Sequence, residues 1–152
     1  QFRRNLQELF LLQSTYWAVI RRSLRQPVDP GLFSELLSQF HMVYHEAVQY
    51  ADRLPAEQAA YHRVRLVVLW NMFSELEQTE GLIQSGAVST EEIPALDVLA
   101  SQLEVRISPP RELESINSDA LPRDELYYVI NRYLENARTL SGQAPPPVPV
   151  AV

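Results

Sequence analysis

The sequence contains no cysteine, which removes disulfides, thiol nucleophiles and thiolate zinc sites. It contains no lysine either: all 13 basic residues are arginine, against 19 acids. That excludes Schiff-base catalysis, the phosphate-binding lysine of a P-loop and every lysine modification. The four glycines, Gly31, Gly81, Gly86 and Gly142, are too scattered for a dinucleotide-binding loop or a nucleophile elbow. No apolar run reaches the roughly 18 residues that a membrane span needs. The nearest, Leu6 to Ile20, is interrupted by Gln7, Glu8, Gln13, Ser14 and Thr15. Signal-peptide, hairpin and alternating-strand patterns are missing as well, and no internal repeat is evident.

What is present is 152 residues with 46% apolar content, sized for one domain that buries roughly 70% of its unfolded surface. The first residue is Gln1 and not methionine, so the chain is expected to be a piece of something longer. Prolines divide it: Pro27 and Pro30, Pro55, Pro109 and Pro110, Pro122, and the run from Pro145 to Pro149. Between them the apolar residues recur with helical period, which predicts five helices near 2–25, 31–53, 56–85, 94–104 and 122–140. The expected fold is an all-α, up-and-down bundle of four to five helices over residues 1–142. Residues 143–152 are then a Pro-rich tail, disordered or in polyproline II.

Start and stop signals agree with this division. Asp29 followed by Pro30 reads as an N-cap with proline at the first helical position, where its missing N–H costs nothing. Pro55 serves the same first turn in the third helix, with Glu57 near the positive helix end. Gly86 is placed to terminate that helix. Ser89-Thr90-Glu91-Glu92 has capping-box spacing, although Pro94 disturbs the register and offers a second starting point. The stretch from Val105 to Leu121 reads as a long connection, with room for one helical turn around Arg111 to Ile116.

On a helical wheel the second helix gathers Leu36, Phe40, Val43, Ala47 and Ala51 on one face, and the fifth gathers Leu126, Ile130, Tyr133 and Ala137. The third is different. From Val64 to Phe73 only Arg65 and Asn71 are polar, and a helix apolar almost all round belongs in the middle of a bundle. Asn71 within that run is expected to make a buried hydrogen bond that fixes helix register. Glu75, Glu77 and Glu80 read as a solvated helix end.

Charge is polarised along the chain. Residues 1–25 carry a net +4 and residues 66–135 a net −9. All five arginines of the first helix, Arg3, Arg4, Arg21, Arg22 and Arg25, fall within about 100° of one another, opposite its apolar face. That stripe is the first candidate interaction site. It suits pairing within the chain, head-to-tail association of copies, or contact with an anionic lipid surface. The acidic half argues against nucleic acid as a partner.

His41 and His45 are spaced i, i+4, the spacing of a two-histidine metal clamp. A tight turn after residue 53 would bring His62 nearly level with His45. A metal-binding protein or metal-dependent enzyme using His41, His45 and His62 is therefore an alternative reading. Against it, His45-Glu46-Ala47-Val48-Gln49 has glutamine where a zinc-protease motif has its second histidine, and no Glu-x-x-His pair occurs.

One longer stretch has a recognisable make-up: Leu69-Trp70-Asn71-Met72-Phe73-Ser74-Glu75-Leu76-Glu77, then Leu82 to Ser89 with its Gly86 turn, then Glu91-Glu92. It resembles uncharacterised bacterial helical domains that lie just after a membrane helix. The resemblance implies a cytoplasmic helical module, compatible with tethering to the inner membrane by a segment outside this chain, and no catalytic residues. Taken together, the expectation is a non-enzymatic module that binds a protein partner or itself and needs no cofactor. A peripheral module for anionic lipid, acting through the arginine face, is a further alternative.

Overall fold

The computed structural model describes residues 1–86, 88–104, 116 and 125–142. They form five helices: α1 (Phe2–Ser23), α2 (Pro30–Asp52), α3 (Ala56–Gln84), α4 (Ile93–Glu104) and α5 (Glu125–Gly142). The protein is an all-α bundle, with no strand among the described residues. The expected helical turn near Arg111 to Ile116, apart from Ile116 itself, and the Pro-rich tail lie outside them.

The helix boundaries fall where the capping chemistry places them. The Asp29 side chain accepts a hydrogen bond from the Gly31 N–H at 2.9 Å, and Pro30 opens α2. This satisfies one of the four N–H groups that every helix start leaves without an internal partner. Pro55 caps α3 with Glu57 in the first turn. Gly86 adopts φ +79° just beyond α3, a left-handed conformation that a side chain would disfavour and that commonly ends helices. Of the capping box before α4, one half forms: Glu92 accepts from the Ser89 N–H at 3.3 Å, and the helix begins at Ile93, with Pro94 in its first turn.

Side-chain pairings fix the directions. Tyr16 packs on Phe33 at one end of α1, while Gln1 reaches Glu46 at the other, so α1 and α2 are antiparallel. Phe40 stacks on Phe73 and Tyr44 lies against Trp70, so α2 and α3 are antiparallel too. Asp97 meets Arg21 and Arg25 while the Glu104 carbonyl accepts from Ser14, which sets α4 antiparallel to α1. The alternation expected of an up-and-down bundle therefore holds through α4. Helix α5 is antiparallel to α3, with Asn136 at Glu75 and the Leu140 carbonyl at Arg65, and so runs the same way as α4.

Helices α1 and α3 are the hubs. The first is covered by α2, α3 and α4, the third by α1, α2 and α5. An aromatic seam joins the first three helices: Phe40 stacks on Phe73 with ring centroids 3.9 Å apart, and Tyr16 meets Phe73 edge-on at 5.2 Å. Leu69, Met72 and Leu76 fill the centre at 1% exposure or less. The apolar faces read from the sequence for α2 and α5 turn inward, as does the stripe of Leu96, Leu99, Ala100 and Leu103 on α4.

Three expectations for α3 are corrected. Asn71 is exposed, because α1, α2 and α5 together leave the outer sector of α3 open, and Asn71 lies in it. The same sector exposes Val64 and Val67, so the helix is not surrounded. Conversely, Glu75 is buried at 1% exposure, because α5 covers the flank that it shares with Thr79. Replacing Met72 by alanine should therefore cost about 2–5 kcal/mol. Replacing Val67 by alanine should change stability by no more than about 0.5 kcal/mol. Urea unfolding of both variants checks the contrast.

Candidate interaction surface

The arginine stripe of α1 is divided by α4. The Arg21 guanidinium donates to Glu104 at 2.6 Å and to Asp97 at 3.1 Å, and Arg25 donates to both Asp97 oxygens. Two of the five arginines thus serve to seat a twelve-residue helix whose own apolar stripe is narrow. Burial alone would raise the Asp97 carboxyl, but the hydrogen bonds from Arg21 and Arg25 outweigh it and hold that group below the ordinary carboxylate value. Hydrogen bonds to Glu104 and then Asp97 raise Arg21 correspondingly. Arg22 is exposed beside this site, in an open cleft of about 460 Å³ that also takes in Ala18, Gln26 and Glu104. Arg3 and Arg4 are exposed at the far end of the helix. None of these three makes an ion pair among the described residues. The stripe is therefore not one continuous basic surface.

The histidines do not converge. His45 is exposed, and its ring centroid lies 6.5 Å from that of His41. His41 packs edge-on against Trp70 at 4.9 Å. His62 instead meets Phe2 of α1 at 4.6 Å. The reason is the hairpin register: pairing Phe40 with Phe73 and Tyr44 with Trp70 sets His45 level with residues 68–69, about two turns from His62. Burial, and then the nearby Arg65, lowers the His62 pKa, and its Nδ1 is buried without a partner. Among the described residues, no three histidine, aspartate or glutamate side chains are grouped to hold a metal ion.

A polar seam between α1, α3 and α5 was not legible as such. The Tyr133 hydroxyl donates to Gln13 Oε1 at 2.9 Å, with both residues buried. Nearby, Glu75 Oε1 accepts from Asn136 at 2.8 Å and lies 3.7 Å from the Arg132 guanidinium, while Oε2 is buried and unpaired. Burial pushes the Glu75 carboxyl up, only partly offset by Asn136 and Arg132. Gln13 as a polar intruder on an apolar face was the one signal available. Nothing in the spacing of Glu75 separated it from the neighbouring exposed Glu77.

The open sector of α3 is the remaining feature. Val64 and Val67 are 51% and 53% exposed. Tyr44, His45, Val67 and Trp70 line a shallow hollow of about 270 Å³ between α2 and α3. The other large exposed apolar residues, such as Leu11, Val98 and Tyr128, sit one each on α1, α4 and α5, which is ordinary for a protein surface. A cluster beside two aromatic rings is not.

No family model, curated protein or solved structure matches the chain. Among the described residues, no helix is long and apolar enough to cross a membrane.

Two measurements test the electrostatics. A raised carboxyl pKa means that the folded state binds a proton more tightly than the unfolded one, so Glu75 costs stability as pH rises above its unfolded value near 4.5. Glu75→Gln keeps an acceptor for Asn136, so its melting temperature should exceed that of wild type by a margin that widens from pH 5 to pH 8. A margin that narrows or reverses would show that the Arg132 attraction dominates. For α4, Arg21→Gln should speed amide hydrogen exchange across residues 93–104 severalfold and leave α2 and α3 unchanged.

Proposed function

We propose that this protein is a non-enzymatic helical interaction module that associates with itself through the open sector of α3. The observation that carries the reading is the pair Val64 and Val67, each about half exposed, beside the partly exposed rings of Tyr44 and Trp70. Two exposed aliphatic side chains three positions apart on a helix form one continuous patch, and burying them and the adjoining aromatics against another surface releases water from all four. The same helix buries its other sectors against three neighbours, so this is the part of it that a partner can still cover.

The anionic-lipid alternative is weakened by the same geometry that seats α4. Arg21 and Arg25 already face Asp97 and Glu104, which leaves Arg22 separated from Arg3 and Arg4 by most of α1. On the favoured reading the module works in the cytoplasm, free or carried by a membrane-anchored segment outside this chain.

Size-exclusion chromatography with light scattering, run over a range of protein concentrations at low and high salt, tests the proposal. The expected result is a concentration-dependent oligomer that persists in high salt, since apolar burial is not screened. Val67→Glu should convert it to a monomer of nearly unchanged stability. A wild-type chain that is monomeric at every concentration and salt would end the self-association reading.

A further inference from the structure

Within the open sector of α3, the residues Ala60, Val64, Val67, Asn71, Ser74 and Gln78 follow one another at spacings of four and three. All are exposed except Ser74, which is half-buried. This is the spacing of the contact seam of a coiled coil, carried by a helix whose remaining sectors already serve the bundle core. Along the edge of that seam next to α2 lie Arg63, Trp70 and Glu77, at intervals of seven. Arg63 and Glu77 are exposed and carry opposite charges, one on each side of the tryptophan.

Resting on the reading that the chain associates with itself, we propose that the partner is a second copy docked antiparallel across α3, with the twofold axis at Trp70. A twofold interface brings the same patch of both copies together, so that each contact occurs twice. With the axis at Trp70, residue 63 of one copy falls level with residue 77 of the other, because each lies about 10.5 Å along the helix from the axis. Arg63 then faces the Glu77 of the second copy in two equivalent places. The two Trp70 rings meet at the centre, next to the hollow that each forms with Tyr44, His45 and Val67. Asn71 lies one residue from the axis, where its amide can pair with that of the other copy. Asparagine in a contact seam of this kind specifies register, which gives a purpose to the polar residue in the middle of the apolar run.

The charge pattern selects the orientation. A parallel pairing about an axis along the helices carries the α2-side edges of the two copies to opposite sides of the seam, so Arg63 and Glu77 of one copy do not face those of the other. The antiparallel pairing is the one that the sequence makes complementary. Arg63 already bonds Asp52 of its own chain at 2.8 Å with both side chains about half exposed, and a guanidinium has donors enough to bridge two carboxylates.

Charge reversal tests the arrangement in the full chain. Arg63→Glu and Glu77→Arg should each raise the dimer dissociation constant about tenfold or more, by placing like charges opposite one another. The double variant R63E/E77R should return it close to the wild-type value, because the exchanged charges again attract across the axis. Rescue cannot come from the internal pair, since in the double variant the carboxylate introduced at position 63 still faces Asp52. Thermal melts of the three variants confirm that the monomers stay folded. If the singles dissociate no more readily than wild type, or the double variant fails to recover, this docking geometry is wrong. Val67→Glu keeps that outcome apart from failure of the broader reading, since it weakens any dimer built on the α3 patch whatever its register.

Discussion

Helix α3 carries apolar side chains around nearly its whole circumference, while each helix packed against it covers only one sector. The rest of the architecture follows from that constraint. Helix α2 takes the flank of Phe40's partners Phe73 and Trp70, α1 meets Phe73 through Tyr16 and His62 through Phe2, and α5 takes the flank of Glu75. Three helices cover three sectors, and Val64 and Val67 remain in the fourth. The aromatic seam of Tyr16, Phe40 and Phe73 ties the first three helices together at the same level.

Charge is organised around the other hub. The basic first helix and the acidic later part of the chain meet inside the molecule, at Arg21, Arg25, Asp97 and Glu104. Helix α4 has twelve residues and one narrow apolar stripe, so its seat on α1 is reinforced by ion pairs that are partly shielded from water. The cost of polar burial falls elsewhere, between α1, α3 and α5, where Tyr133 donates to Gln13 Oε1 while Gln13 Nε2 and one Glu75 oxygen are buried without a partner. A buried polar pair of this kind restricts how helices slide past one another more sharply than apolar contacts do.

Most of the fold could be read from local physics. The helices, their caps at Asp29 and Gly86, and the inward faces of α2 and α5 depend on neighbours a few residues apart, and periodicity reports those. The misreadings share a cause: each concerns which sector of α3 another helix covers. Asn71 and Glu75 lie four residues apart on that helix, and the first proved exposed and the second buried because α5 docks on one flank and no described helix docks on the other. No local pattern carries that information. The histidine cluster failed for a related reason, since the register of the α2–α3 hairpin is set by Phe40 on Phe73 and not by the length of the turn. How the arginine stripe divides between an internal role and an exposed one likewise depends on the position of α4.

The central claim is that the open sector of α3 exists to be covered by another molecule of the same chain, and the two tryptophans offer a direct reporter. Trp17 is buried in the core at 1% exposure, whereas Trp70 is half-buried at the edge of the open sector, next to α2. Acrylamide quenching of tryptophan fluorescence across a dilution series therefore separates them. The account predicts that the quenchable fraction is small in concentrated solution and rises on dilution as Trp70 is uncovered, with the core signal constant. A quenchable fraction that stays the same at all concentrations would contradict it.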